Sequence, residues 1–385
     1  MSASRGRRRG RVARRSVLVV AASVVVAVGT VTGMINALDD ERGANEARPD
    51  ATLLVPLPDV PSPSVAAKVS SSASTSAKPK KNASPSPTKT GEKRSAPVSP
   101  SLYRHPESQV LDWVHDHPDD PRTEVIASRI ADQPAAVWFA DFTPSTITSR
   151  VRAVTSGAAV QGRVPVVVPY AIPDRDCGGA SEGGAPDFDA YDGWIDDFAA
   201  GLGSREVVIV LEPDSIAQAD CLSAAQRADR FEALARAGRV LKSADPKARV
   251  YFDAGHSDWN PAAQQAALLK EAGAANAASS DGIFSNVSNF HATSAEIAYD
   301  RQVLDALGGP ASLGAVIDTS RNGNGAPADG QWCDPAGRKI GRAPTLDTGE
   351  ARIDGYLWVK LPGESDGCRG TAGTFTASYA YDLAR

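Results

Sequence analysis

The sequence lacks the residue patterns that usually hold metal ions or nucleotides. Its four cysteines, Cys177, Cys221, Cys333 and Cys368, form no C-x-x-C pair, which argues against a structural zinc or iron–sulfur site. No G-x-G-x-x-G motif follows the first apolar run of the C-terminal part, and no Walker loop is present, so no cradle for a nucleotide is expected. We therefore predict neither a metal nor another cofactor.

Positive charge is scarce after residue 100. Residues 1–100 contain 16 Lys and Arg against 7 Asp and Glu, out of chain totals of 41 and 46. The rest of the chain consequently holds 25 basic and 39 acidic residues, a net charge of −14. Phosphate contacts need clustered Lys and Arg, so this acidic part is not expected to bind nucleic acid.

The N-terminal segment has the composition of an export signal. Seven arginines and no acid lie between Arg5 and Arg15, and an uncharged run rich in Val and Ala extends from Ser16 to Ala37. This run is long enough to span a bilayer, and no clean A-x-A cleavage site follows it. Residues 1–37 are therefore interpreted as a signal peptide or as an uncleaved signal anchor, exported by the general or the twin-arginine route. Both alternatives place the remaining chain outside the cell, either secreted or tethered to the outer face of the membrane by residues 16–37.

Residues 38–100 have the composition of a flexible linker. They are rich in Pro, Ser, Ala and Lys, and no helical or strand period is visible between Pro56 and Pro100. Such a segment cannot bury enough apolar surface to offset the entropy lost on ordering. In an exported chain, the even number of cysteines further along suggests two disulfides.

From residue 101 to 385 the composition is globular, and strand-like and helix-like segments alternate. Amphipathic stretches at 187–202 and 224–241 predict helices between short apolar runs. Seven such runs predict strands, at 135–141, 164–170, 207–212, 249–253, 282–287, 313–318 and 355–360. This alternation implies an α/β fold with a parallel sheet, and seven repeats favour a barrel over an open doubly wound sheet.

Polar residues collect at the carboxyl ends of these predicted strands. The third run, for example, ends in Glu212, Pro213 and Asp214. Carboxyl ends of parallel strands are where α/β folds build their active sites, and helix capping explains only one or two such acids. A rim of carboxylates with tryptophans in adjacent loops fits a cleft for a sugar polymer. Cleavage of an acetal needs one protonated carboxyl and one carboxylate.

Six motifs in order along the chain resemble those of the family 6 glycoside hydrolases. They are VPYAIPDRDCGG, VIVLEPDSIA, VYFDAGHSDW, SNVSNF, IDTSRNGNG and YLWVKLPGESDG, and the resemblance covers roughly residues 105–385. Members of this family are inverting cellulases with a distorted, incomplete α/β barrel. The resemblance implies a catalytic domain at 101–385 with a seven-stranded, TIM-like barrel. It also implies that a β-1,4-glucan is the substrate, hydrolysed with inversion at the anomeric carbon.

The resemblance implies a role for each of three aspartates. Asp214 matches the general acid, which protonates the leaving glycosidic oxygen. Asp176 matches a neighbouring acid that raises the pKa of the general acid, since two close carboxyls cannot easily both ionise. Asp366 matches the usual candidate for the base, although the family resemblance leaves the identity of the base open.

The same resemblance implies substrate-binding positions and two disulfides. Asp253 matches an acid that hydrogen-bonds near the site, and Tyr170 a tyrosine beside the distorted sugar. Three stacking tryptophans and four hydroxyl-binding residues are also implied: Trp138, Trp259, Trp332, His256, Asn289, Lys360 and Glu364. The expected disulfides are Cys177–Cys221 and Cys333–Cys368. The other tryptophans are interpreted as core residues: Trp113, Trp194 and Trp358.

Two short loops predict an open cleft and internal cleavage. Only six residues separate Cys368 from Phe375, and the stretch 177–184 is short and rich in glycine, as in the endo-acting family members. The alternatives are an exo-acting cellobiohydrolase or a non-hydrolytic surface protein that binds glycans. A metal-dependent deacetylase would need an Asp-His-His ligand set, and only His256 and His291 follow residue 117. We expect the protein to be a monomer.

Overall fold

The computed structural model describes residues 101–385. The predicted export segment at 1–37 and the predicted linker at 38–100 lie outside the described residues. Among the helices of residues 101–385, none is long and apolar enough to cross a membrane.

The sheet contains seven parallel strands in sequential order, which confirms the α/β barrel and excludes the doubly wound alternative. Each predicted apolar run overlaps a strand. The strands are β1 Val137–Phe139, β2 Val166–Pro169, β3 Val207–Leu211, β4 Ala248–Asp253, β5 Gly282–Ser285, β6 Gly314–Asp318 and β7 Ile353–Leu357. Only β7 begins clearly earlier than predicted. Its pairing with β6 is irregular between Ala315 and Val316, so the polar Asp354 is accommodated as a bulge inside the strand.

The barrel is incomplete because, among residues 101–385, β7 and β1 form no ladder of their own. Two single hydrogen bonds cross this gap instead. The backbone N–H of Ala136 donates to the carbonyl of Trp358 at 2.9 Å. The indole N–H of Trp138 donates to the carbonyl of Val359 at 2.7 Å. A side chain of the predicted cleft thus also joins the two edges of the sheet.

Helices surround the sheet, and most of them connect consecutive strands. They are α1 Gln109–Asp116, α2 Thr123–Ile126, α3 Ile147–Val160, α4 Phe188–Ala199, α5 Ala224–Ala244, α6 Ala262–Glu271, α7 Thr293–Leu307 and α8 Ala377–Ala384. Asp187 caps α4 by accepting the N–H of Ala190, and Ser223 and Gln226 form a capping box at the start of α5. Both helices therefore begin where the sequence predicts them.

Strand side chains alternate between two apolar layers. In β3, Ile209 packs outward against the helices, while Val208 and Val210 point into the barrel interior. Trp194 of α4 is fully buried in the outer layer, and Trp358 is also buried, as predicted. Trp113 is half-buried on α1 and stacks on His117. Because the barrel interior is filled by apolar side chains, the polar residues collect at the carboxyl ends of the strands.

Candidate active site

A cleft of about 1290 Å³ lies at the carboxyl ends of the strands. The three predicted catalytic aspartates, Asp176, Asp214 and Asp366, all line it. Eight of the predicted substrate-binding residues also line it: Trp138, Tyr170, His256, Trp259, Asn289, Trp332, Lys360 and Glu364. Acids, amides and aromatic rings thus meet in one groove, although they come from segments far apart in the chain.

Asp253, the ninth residue predicted to bind substrate, is not among the residues that line this cleft. Its carboxylate is buried beneath the turn that carries Asp214, where one oxygen accepts the N–H groups of Ile216 at 3.0 Å and Ala217 at 2.8 Å. The other oxygen accepts the N–H of Gly255 at 2.9 Å. Asp253 therefore contacts the backbone behind Asp214 and has no surface to offer a substrate.

Asp214 lies in the tight turn that follows β3. Glu212 and Asp214 both adopt the left-handed backbone region, with φ of 48° and 67°, on either side of Pro213. Burial raises the pKa of the Asp214 carboxyl well above its ordinary range, and the nearby charges of Asp253 and Asp176 raise it further. Lys360 opposes this shift. The arrangement favours a carboxyl that is still protonated at neutral pH.

Asp176 lies in a sharply folded loop after β2. Asp174, Asp176 and Cys177 all have positive φ, between 49° and 55°. The Asp176 carboxylate accepts the N–H of Ser181 at 2.7 Å, and a Cβ on Gly179 would approach this carboxylate to 2.5 Å. Only glycine leaves room for this close approach.

The two predicted disulfides are both formed. Cys177 pairs with Cys221, so the loop of Asp176 is joined to the segment that follows Asp214. Cys333 pairs with Cys368, so the loop of Trp332 is joined to the residue two positions after Asp366. Each bond therefore links two loops that contribute side chains to the cleft.

Asp366 lies among cationic and N–H donors. One carboxylate oxygen accepts from the Arg321 guanidinium at 2.7 Å and from the N–H of Asp334 at 3.1 Å. The other oxygen lies 3.7 Å from the Lys360 ammonium. Arg321 is fully buried, and desolvation lowers the pKa of its guanidinium. The charge and hydrogen bond of Asp366, together with Tyr379 and Asp318, more than offset this and raise that pKa. Arg321 stands in the motif IDTSRNGNG, but nothing in the sequence indicates that its partner is Asp366.

Aromatic side chains form walls of the cleft. The ring of Trp138 is perpendicular to that of Tyr170, with centroids 5.3 Å apart. Trp259 is tilted against His256 at 5.2 Å. Trp332 is the most exposed of the three predicted platforms, with 58% of its surface accessible to solvent. An exposed, flat ring beside a groove of carboxylates suits stacking on the apolar face of a pyranose.

Two polar residues of the cleft wall make contacts that the sequence does not predict. His256 stacks on His291 with ring centroids 4.1 Å apart, and burial together with His291 lowers the pKa of His256 to about 3. Burial raises the pKa of Glu364 to about 7 against the opposing charges of Lys360 and Arg321. Gln109, at the start of α1, donates to Glu364 at 3.2 Å. Neither Gln109 nor His291 was identified from the sequence, because neither follows a strand within a motif.

Comparison with known proteins extends these observations. The family model "Glycosyl hydrolases family 6" matches residues 96–384. Endoglucanase 1 of Streptomyces sp. (strain KSM-9) is 52% identical over 74% of this chain and 78% of its own length. Endoglucanase A of Thermobispora bispora is 49% identical over 74% of this chain and 61% of its own length. A solved structure of the endoglucanase Cel6 from Mycobacterium tuberculosis, in complex with a thio-linked cellobioside, is also similar. Its sequence is 40% identical to that of this chain. It matches with a TM-score of 0.69 over 74% of this chain and 97% of that one.

Proposed function

The chain belongs to glycosyl hydrolase family 6, and on this basis we propose that it is an inverting cellulase that cleaves internal β-1,4-glucosidic bonds. The substrate is cellulose or a related β-glucan. The observation that carries the proposal is the pairing of two unlike carboxyls in one cleft. Asp214 is surrounded by other acids that favour its protonated form, whereas Asp366 is paired with Arg321 and Lys360.

In the proposed reaction, Asp214 donates its proton to the glycosidic oxygen as the bond from that oxygen to the anomeric carbon breaks. A water molecule attacks the same carbon from the opposite face, and its proton passes to Asp366 as the base. One displacement at the anomeric carbon inverts its configuration. After burial and Asp253, the charge of Asp176 also helps to keep Asp214 protonated, and Asp176 would help to order the water.

The remaining cleft residues would bind the glucan chain. Trp138, Trp259 and Trp332 provide rings for stacking, and Tyr170 lies beside the position of the distorted sugar. Four residues would hydrogen-bond sugar hydroxyls: His256, Asn289, Lys360 and Glu364. Since the pKa of His256 is lowered to about 3, this side chain is neutral at ordinary pH and both donates and accepts.

Internal cleavage is supported by the short loops beside the cleft and by the names of the similar endoglucanases. Trp332 is exposed, and the residues between Cys368 and Phe375 are too few to form a long cover over the glucan. The alternative is an exo-acting cellobiohydrolase, which would need a roof over the substrate. A non-hydrolytic glycan-binding protein is disfavoured because all three catalytic aspartates line the cleft.

Two disulfides in residues 101–385 suit an oxidising, extracellular environment. We propose that the protein is secreted or tethered to the outer face of the membrane through residues 16–37, and that it acts as a monomer. A β-glucan is its proposed partner; no role for nucleic acid is proposed.

The test compares the wild-type protein with Asp214→Ala on carboxymethylcellulose and on a mixed-linkage glucan. The wild type should lower the viscosity of carboxymethylcellulose well before many reducing ends appear. Asp214→Ala should lose activity by a factor on the order of 10²–10⁴, because a general acid contributes about that much. Asp220→Ala, an exposed acid six positions further along the same loop, is the matched control and should be fully active.

Release of cellobiose without a fall in viscosity would instead identify an exo-acting enzyme. Binding of glucan without any hydrolysis by the wild type would contradict the proposed activity altogether.

A further inference from the structure

Glu212 connects the two turns that carry Asp214 and Asp176. Its side chain is fully buried two residues before Asp214, and it does not line the cleft. Both carboxylate oxygens accept the N–H of Ala171, at 3.0 and 2.9 Å, and one of them also accepts the N–H of Ile172 at 3.1 Å. Ala171 and Ile172 begin the segment that leads from β2 to Asp176. One buried side chain therefore binds the neighbouring turn through its backbone.

Arg230 binds the next two residues of that same segment from the other side. It extends from α5, is 1% exposed, and donates to the carbonyls of Pro173 at 3.0 Å and Asp174 at 2.9 Å. The N–H groups of residues 171–172 and the carbonyls of residues 173–174 are thus held by two buried side chains of opposite charge. We call Glu212 and Arg230 the backbone clamp.

The segment needs such a clamp because its backbone is strained. Asp174, Asp176 and Cys177 all have positive φ without being glycine. Such a conformation is unfavourable for a residue with a side chain, and it persists only where surrounding contacts fix it. Arg175 adds contacts from within the segment, because it donates to the carbonyls of Ala140 at 2.5 Å and Ser181 at 2.7 Å.

We propose that Glu212 and Arg230 are positioning residues for catalysis. They set the separation of Asp176 from Asp214, because Glu212 holds residues 171–172 to the turn after β3 and Arg230 holds residues 173–174 to α5. This inference rests on the proposed function, since it concerns the same pair of acids. Neither residue touches the cleft, so neither could act on the substrate directly. Their effect on the reaction would pass through the position of Asp176, whose charge influences Asp214.

The charged and titratable groups around Asp214 and Glu212 determine what the pH dependence of kcat would report. Asp214 is influenced by Asp253, Asp176 and Lys360. Glu212 faces four titratable or cationic side chains: Tyr170, Tyr191, Arg175 and Arg230. Burial raises the pKa of Glu212 to about 7, and the backbone hydrogen bonds oppose that shift. A substitution of Glu212 therefore also removes a group that titrates near neutrality, which a substitution of Arg230 leaves in place.

The test uses Glu212→Gln and Arg230→Lys, assayed on soluble β-1,4-glucan across pH. Both variants should lower kcat about tenfold or more while KM stays within about twofold, because a displacement near 1 Å is enough to impair catalysis. The alkaline limb of the kcat profile should also move to lower pH in both variants, since Asp176 would lie further from Asp214. The control is Asp245→Asn, which alters an equally buried carboxylate that accepts the N–H of Lys247 at 2.9 Å, before the start of β4.

The control should keep the wild-type kcat and pH profile even where it lowers thermal stability. The contradicting result is a variant, Glu212→Gln or Arg230→Lys, that folds and is less stable than the wild type but has the same kcat and the same alkaline limb. Glu212 and Arg230 would then be structural residues without a role in positioning Asp176. Where Glu212→Gln does not fold, Arg230→Lys alone decides the matter. Absence of hydrolysis by the wild type would contradict the proposed function, which is a separate outcome.

Discussion

The two sides of the cleft surround their carboxyl groups in opposite ways. On one side, Asp214 lies near Asp176 and above the buried Asp253, so its neighbours carry the same charge. On the other side, Asp366 contacts the buried guanidinium of Arg321 at 2.7 Å. One residue type is thereby given two different chemical characters by its neighbours, which is the division of labour that acid–base hydrolysis needs.

The difference originates in the loops after different strands. The acidic side is built by the turns after β2 and β3, with Asp253 at the end of β4 beneath them. The ion-paired side is built after β6 and β7, which supply Arg321 and the segment from Lys360 to Asp366. Lys360 acts on both sides, because it opposes the raised pKa of Asp214 and lies 3.7 Å from Asp366.

The largest effect is expected from breaking the ion-paired side with Arg321→Met. Arg321 is fully buried and the side chain of Asp366 is only 6% exposed, so the substitution removes the buried cation at 2.7 Å and leaves the carboxylate only the more distant Lys360, at 3.7 Å. The free energy of unfolding should fall by about 3–5 kcal/mol, measured by urea denaturation. The matched control is Arg352→Met, which breaks the exposed pair with Asp305 and should cost at most about 1 kcal/mol. Equal losses in the two variants would contradict the contrast between the sides.

A smaller effect is expected from removing one charge on the acidic side with Asp176→Asn. Asp214 must be protonated to act, so activity is present below its pKa and is lost as the pH rises through it. The charge of Asp176 raises that pKa, after burial and the charge of Asp253. Its removal should move the alkaline limb of kcat to lower pH, as well as reducing kcat. The control is Glu182→Gln, which changes an exposed acid in the same loop and should leave the alkaline limb in place. If the limb does not move in Asp176→Asn, Asp176 does not influence the pKa of Asp214.

The smallest effect is expected from the aromatic walls. Trp332→Ala on the ion-paired side and Trp259→Ala on the acidic side should each raise KM for soluble glucan about two- to tenfold with little change in kcat. This range corresponds to the roughly 0.5–1.5 kcal/mol of an aromatic contact. Val160→Ala removes an exposed apolar group outside the cleft and should change neither constant. A fall in kcat without a change in KM would mean that the ring acts on the reacting bond.

The strands of this fold are predictable from the sequence because they are buried on both faces. Val207–Leu211 is a continuous apolar run for that reason, and all seven predicted runs overlap strands. The start of β7 is not predictable in this way, because Asp354 interrupts the apolar pattern and is accommodated by the bulge opposite β6. The gap between β1 and β7 has no local signal in the sequence, since it depends on pairing across the whole domain; only the family resemblance implies that the barrel is incomplete.

From strand patterns alone, without the family resemblance, the candidate site is predictable only as a set of strand ends. Asp214 and Asp253 look alike in the sequence, as acids that follow apolar runs, yet the structure exposes one to the cleft and buries the other. The partners of the acids are missed for a related reason. Arg321 and Asp366 are 45 positions apart, and Gln109 and Glu364 are 255 apart, so no local pattern can indicate either contact.

The protonation state of Asp214 is the most direct test of this account. It can be measured by a carbon-13 NMR titration of the aspartate carboxyl groups, with Asp214→Asn used to assign the resonance. We expect the Asp214 carboxyl to stay protonated well above the ordinary range of aspartate, which lies near pH 4. A resonance that titrates within that ordinary range would contradict the assignment of Asp214 as the proton donor.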